Sequence, residues 1–82
     1  MVHEIIVTQV SGNWHNGTIN GVRFNAKVYD EPSEFGIDNG NVSKLWIEGI
    51  ANYDRGWDIK PKTADGKKMV AELLQYFSTK EA

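Results

Sequence analysis

Alternation of apolar and polar side chains is strongest on the two sides of Asn20-Gly21. Val22, Phe24, Ala26 and Val28 alternate with Arg23, Asn25, Lys27 and Tyr29, the period-two pattern of a strand with one buried face. The run Trp14 to Ile19 precedes them. Asn-Gly between two β-prone runs favours a type I′ turn, because both central residues need positive φ and these two tolerate it. The pattern therefore predicts a β-hairpin centred on Asn20-Gly21. Its register sets Ile19 opposite Val22, Gly17 opposite Phe24 and His15 opposite Ala26 on the core side, with Gly17 leaving room for the Phe24 ring. On the other side it sets Thr18 opposite Arg23, Asn16 opposite Asn25, and Trp14 opposite Lys27.

The rest of the chain is read in the same way. Residues Glu4 to Val10 are rich in β-branched side chains and stop at the turn-type cluster Ser11-Gly12-Asn13, which predicts a first strand. From Asp30 to Asn41 the alternation lapses into a long loop. Val42 to Ala51 resumes as a strand, with Leu45 and Ile47 on one face and Lys44, Trp46 and Glu48 on the other. Asn52 to Lys62 is expected to hold a tight turn at Asp54-Arg55-Gly56 and an exit loop. A helix follows from about Ala64 to Ser78, because Met69, Val70, Leu73, Leu74 and Phe77 fall on one stripe. Thr63 or Asp65 supplies its N-cap, and Gly66 weakens its first turn by up to about 1 kcal/mol relative to Ala. Laying that stripe on the apolar side of the strands buries both surfaces. The expected fold is α+β: an antiparallel β-sheet of three to four strands with one C-terminal α-helix packed on one face. The first strand has two open places, beside the hairpin or beside Val42 to Ala51.

Composition narrows the class. Eighty-two residues supply apolar material for one core, so a single α+β domain spanning 1–82 is expected. A formal charge of −2 provides no global positive field, so nucleic acid is not the default partner. The absence of cysteine removes disulfides and thiolate metal sites and suits a reducing compartment. The opening run Met1-Val2-His3-Glu4-Ile5-Ile6-Val7 has no basic flank and is too short for a signal peptide or a membrane span, which leads to the expectation of a cytoplasmic protein without a membrane partner.

Catalytic templates find little to hold. His3 lies near a chain end, and His15 is expected to look inward beside Ala26, with no second histidine or cysteine placed to assist it. The loop acids Asp30, Glu31, Glu34 and Asp38 lack the order of an EF-hand, and Gly36 and Gly40 do not lead into a helix and a lysine as a phosphate loop would. The expectation is no metal, no cofactor and no enzymatic activity.

The tryptophans are the feature to follow. Trp14 and Trp46 are both predicted on the sheet face away from the helix, together with Arg23, Lys27, Lys44 and Tyr29. Two readings stand. The rings pack beneath the long loop or the first strand, as large aromatics generally do, or they form a recognition face, since Trp, Tyr and Arg dominate interface energetics. Trp57 is expected to pin the exit loop to the domain, with Arg55 beside Asp54 or Asp58 as a local ion pair.

The blocks Ala26-Lys27-Val28-Tyr29-Asp30-Glu31-Pro32-Ser33-Glu34-Phe35-Gly36-Ile37, Val42-Ser43-Lys44-Leu45-Trp46-Ile47 and Tyr53-Asp54-Arg55-Gly56-Trp57-Asp58 resemble those of a family of small uncharacterised domains of Gram-positive bacteria, their phages and prophages. The resemblance covers roughly residues 14 to 77. It implies an accessory or host-interaction factor, and it implies that the long loop and the Tyr53 to Asp58 turn pack together at one sheet edge. The first expectation for function is a small protein-interaction module of this phage-associated kind. It would bind through Trp14, Arg23, Lys27, Tyr29 and Trp46, or pair as a homodimer through that face or a strand edge. The alternative is a binder of single-stranded nucleic acid or nucleotides on the same aromatic-basic face.

Overall fold

The computed structural model describes residues 3–31, 33–34 and 36–78. Met1 and Val2 of the opening run, and Pro32 and Phe35 of the loop motif, lie outside the described residues. The chain runs as β1 (Ile5–Ser11), β2 (Trp14–Ile19), β3 (Val22–Val28), β4 (Val42–Ile47), β5 (Ala51–Asp54), β6 (Trp57–Ile59) and α1 (Ala64–Tyr76), with one 3₁₀ turn at Ile37–Asn39. All six strands form one sheet in chain order, each antiparallel to the next.

The Asn20-Gly21 hairpin has the register that its turn residues dictate. Ile19 pairs with Val22, Gly17 with Phe24, His15 with Ala26 and Trp14 with Lys27. Asn20 and Gly21 both have positive φ, 52° and 84°. The first strand finds its place beside this hairpin, pairing with β2 through Ile5–Ile19 and Val7–Gly17. That placement changes the reason for Gly17. A Cβ built there would lie 1.9 Å from the carbonyl oxygen of Ile6, so the glycine is required by the β1 backbone rather than by the Phe24 ring. Beyond Val7 the β1 register shifts before pairing resumes at Gln9.

The expectation of three to four strands is corrected to six. The run Val42 to Ala51 is β4, a turn and the first residue of β5, because Glu48-Gly49-Ile50 forms a turn with Gly49 at φ +72° and the Ile50 amide donating to the Ile47 carbonyl at 2.9 Å. The region expected to be an exit loop holds most of β5 and all of β6. These strands are four and three residues long, and Asn52, Asp54 and Asp58 in them are residue types that strands disfavour. Local propensity therefore hid them, and pairing to β4 fixes them.

The core lies between the sheet and α1. Ile19, Phe24, Ala26, Leu45, Ile47, Ala51 and Tyr53 come from the strands and Met69, Val70, Leu73 and Phe77 from the helix side, all buried. Thr63 is the N-cap, its hydroxyl accepting from the Gly66 amide at 2.9 Å. Gly66, a weak helix former, sits where a Cβ would come within 3.1 Å of Ile50 Cγ2, so close packing of helix on turn accounts for it. His15 does point inward, its ring 5.0 Å from that of Phe77.

The Asp30 to Asn41 segment is more structured than a solvated loop. Ile37 inserts into the core, and the Ser33 amide donates to the Gly40 carbonyl at 3.0 Å. Asn41 is buried, and its side-chain amide donates to the carbonyls of Tyr29 and Phe77, tying the loop base to the end of the helix.

Candidate functional site

Among the described residues no element covers the sheet face opposite α1, and the register composes that face row by row. One row runs Trp14–Lys27–Lys44–Asp54 across β2 to β5, and the next runs Asn16–Asn25–Trp46–Asn52–Ile59 across β2 to β6. Trp46 is 40% exposed and Ile59 52%. In the second row the Asn25 amide donates to the Asn16 side-chain oxygen.

Lys27 and Lys44 are directly opposed on β3 and β4, an arrangement that by itself destabilises a sheet. Their surroundings explain how it is tolerated. The Lys27 ammonium lies 5.7 Å from the Trp14 ring centroid and 5.4 Å from that of Tyr29, and the Lys44 ammonium lies 5.9 Å from Trp14. Both cations thus lie within reach of the π-system of one indole. Asp54 Oδ1 stands 3.7 Å from Lys44 Nζ, so one of the two acids expected beside Arg55 reaches across to β4. The Lys27 ammonium, through its hydrogen bond to the phenol, holds the Tyr29 pKa below the ordinary phenol range against the opposing effect of burial, with smaller contributions from Ser43 and Lys44.

A bulge completes this corner. Lys27 pairs with Lys44 and Val28 with Val42, which leaves Ser43 as the extra residue on β4. Ser43 and Lys44, although consecutive, therefore line the same hollow. That hollow, of about 440 Å³, is bounded by Lys27, Tyr29, Ser33, Ser43, Lys44 and Arg55. Ser33 comes from the long loop and Arg55 from the β5–β6 turn, so the two segments meet at the end of the sheet where β3 and β5 finish. The Arg55 amide donates to the Ser43 carbonyl at 3.2 Å, and Arg55 takes φ +59° to do so. Lys44 also borders a second hollow, lined by Trp14, Trp46, Asn25 and Asn52 among others.

Of the residues singled out from sequence, Trp14, Lys27 and Tyr29 come together with Lys44. Trp46 lies one row away and borders the neighbouring hollow. Arg23 stands apart. Its guanidinium pairs with Glu48, Nη2 to Oε2 at 3.1 Å, which lowers the Glu48 pKa and raises that of Arg23. Ser43 and Ser33 are not singled out by the sequence and Arg55 only as a member of a local ion pair, since a bulge leaves no mark in hydropathy. Trp57 anchors as expected, its ring edge-on to Tyr53 at 5.0 Å.

A second polar cluster lies on the helix side. His3 is 5% exposed and bridges two helix carboxylates, Nδ1 to Glu72 Oε2 at 3.0 Å and Nε2 to Asp65 Oδ1 at 2.8 Å, while its amide donates to Glu72 Oε1. Both hydrogen bonds, that to Glu72 first, raise the imidazole pKa above its ordinary 6.5. Among the described residues no group of three or more His, Cys, Asp or Glu side chains is arranged to hold a metal ion. Among the described residues no helix is long and apolar enough to cross a membrane.

The fold and this face define a small α+β domain: a six-stranded antiparallel meander with one side covered by a helix and the other side uncovered among the described residues. Residues 13–78 match the family described as a domain of unknown function, DUF7678, and the chain belongs to that family. No curated protein and no solved structure matches the chain.

Proposed function

We propose that this domain is a non-enzymatic interaction module, and that a protein partner seats on the sheet face opposite the helix. One observation carries the reading: Trp46 and Ile59 stand exposed in a row on a face where Trp14, Lys27, Tyr29 and Lys44 already hold one another in place. Aromatic and cationic side chains ordered before binding lose less entropy on association, the property that makes such residues anchors of interfaces. The likeness of the three sequence blocks to small domains of Gram-positive bacteria and their phages supports an accessory, host-directed role in the cytoplasm.

A photoreactive residue at position 59, used in an extract of the cells that make the protein, tests this directly. A discrete crosslinked protein is expected, lost when Trp46 and Lys27 are both changed to Ala, with the urea midpoint nearly unchanged. Crosslinks indifferent to those substitutions, or a large loss of stability, would remove the face from the interface and return its side chains to a structural role.

Single-stranded nucleic acid is the second reading, favoured by the hollow that Trp14 and Trp46 border beside the cationic one. It requires quenching of tryptophan emission by oligonucleotides with a steep salt dependence.

A further inference from the structure

We infer that the hollow bounded by Lys27, Tyr29, Ser33, Ser43, Lys44 and Arg55 is a receptor for the phosphoryl group of a phosphorylated protein side chain. The inference rests on the reading that a protein partner seats on this face, and it names what that partner presents.

The donor set carries the argument. The ammonium groups of Lys27 and Lys44, the Ser43 hydroxyl and the Tyr29 phenol converge where β3 ends against β4, with Ser33 and Arg55 bordering the hollow, and these four groups alone carry more donors than a planar carboxylate can engage. A tetrahedral dianion with three terminal oxygens matches that number and charge. The site is built rather than incidental. Ser43 is 6% exposed and is brought to the hollow by the bulge, and the opposed Lys27 and Lys44 are a local cost that an anion between them would turn into a gain. The lowered Tyr29 pKa reports the same positive potential.

Two observations favour a single phosphoryl group on a protein over a nucleic-acid strand or a nucleotide. A strand needs a track of cations, whereas here they gather at one corner, and Arg23 at the far end of the face is held by Glu48. The Trp14 ring already supports both ammonium groups, so a base stacking on that side would have to displace them.

The test uses the intact chain with four probes: N-acetyl-O-phosphoserine amide, N-acetylglutamate amide, inorganic phosphate and adenosine 5′-monophosphate. Binding is followed by tryptophan emission and phosphorus NMR. Saturable binding of the phosphoserine probe is expected, at least five-fold tighter than the glutamate probe and no weaker than the nucleotide. Inorganic phosphate should compete with it at the same site. Lys27→Gln, which keeps the stem of the side chain, should weaken phosphoserine binding at least five-fold. Asp54→Asn should tighten it several-fold by removing the carboxylate that competes for Lys44. Absence of saturable binding, a smaller preference over glutamate, tighter binding of the nucleotide, or indifference to both substitutions would each overturn the assignment. If phosphoserine binding fails while crosslinking from position 59 persists, only the phosphoryl site is lost. If phosphoserine binds but crosslinking fails, the protein-partner reading is lost instead.

Discussion

His3 illustrates how one side chain can fasten a chain end to an element more than sixty residues away. The imidazole sits between Glu72 and Asp65, and its backbone amide also reaches Glu72, so the start of β1 is tied to α1 at three points. Those contacts favour the protonated ring, which raises its pKa in the folded state above the 6.5 of the unfolded chain. The sign follows from linkage. Below pH 6.5 the ring is charged in both states and its contribution to stability is complete. As pH rises past 6.5 and through the higher folded pKa, the contribution is lost. Urea midpoints measured from pH 6 to pH 9 should therefore fall with pH, and fall less in His3→Gln, whose side chain does not titrate. A profile identical in the two proteins would show that the clamp adds nothing to stability. Nothing local in the sequence marks a clamp here, because position 3 has no periodic neighbours and its partners lie outside any local window.

At the scale of elements, legibility followed the range of the interactions that define them. The Asn20-Gly21 hairpin and the α1 stripe are specified by neighbours a few residues apart, and both were predicted within two or three residues of where they lie. Strands β5 and β6 are held by pairing to β4 and carry residues that strands disfavour, so nothing local marked them. The corner of the candidate site divides the same way. Trp14, Lys27 and Tyr29 follow from alternation, whereas Ser43 depends on a bulge and Arg55 on a turn. Burial along α1 gives a direct check of the stripe. Leu73 is almost fully buried and Tyr76, three residues on, is half exposed against the Phe77 ring. Leu73→Ala should cost about 2–5 kcal/mol by creating a cavity under the helix. Tyr76→Ala should cost under about 1 kcal/mol. Equal losses in denaturant titrations of the two variants would mean that the helix is rotated on the sheet.

Viewed as a whole, the molecule is an asymmetric sandwich made from one sheet. Every strand neighbours the next in sequence, so hairpins alone assemble the sheet, and the two faces then have different needs. The outer face carries its own ion pairs and cation–aromatic contacts. The inner face, with Ile19, Phe24, Leu45 and Ile47 fully covered, is stable only beneath α1. Burying Met69, Val70, Leu73 and Phe77 contributes on the order of 1.5–3 kcal/mol each, roughly 6–12 kcal/mol together. Total stability for a domain of this size is about 4–12 kcal/mol. The helix term is therefore as large as the whole margin, and losing it also removes both partners of His3. A chain ending at Lys62 should lack cooperative unfolding and the near-ultraviolet signal of packed aromatics, and it should bind a hydrophobic dye. A truncated chain that still unfolded cooperatively would place the stability of the domain in the strands themselves, and the open outer face would no longer be the surface that distinguishes it.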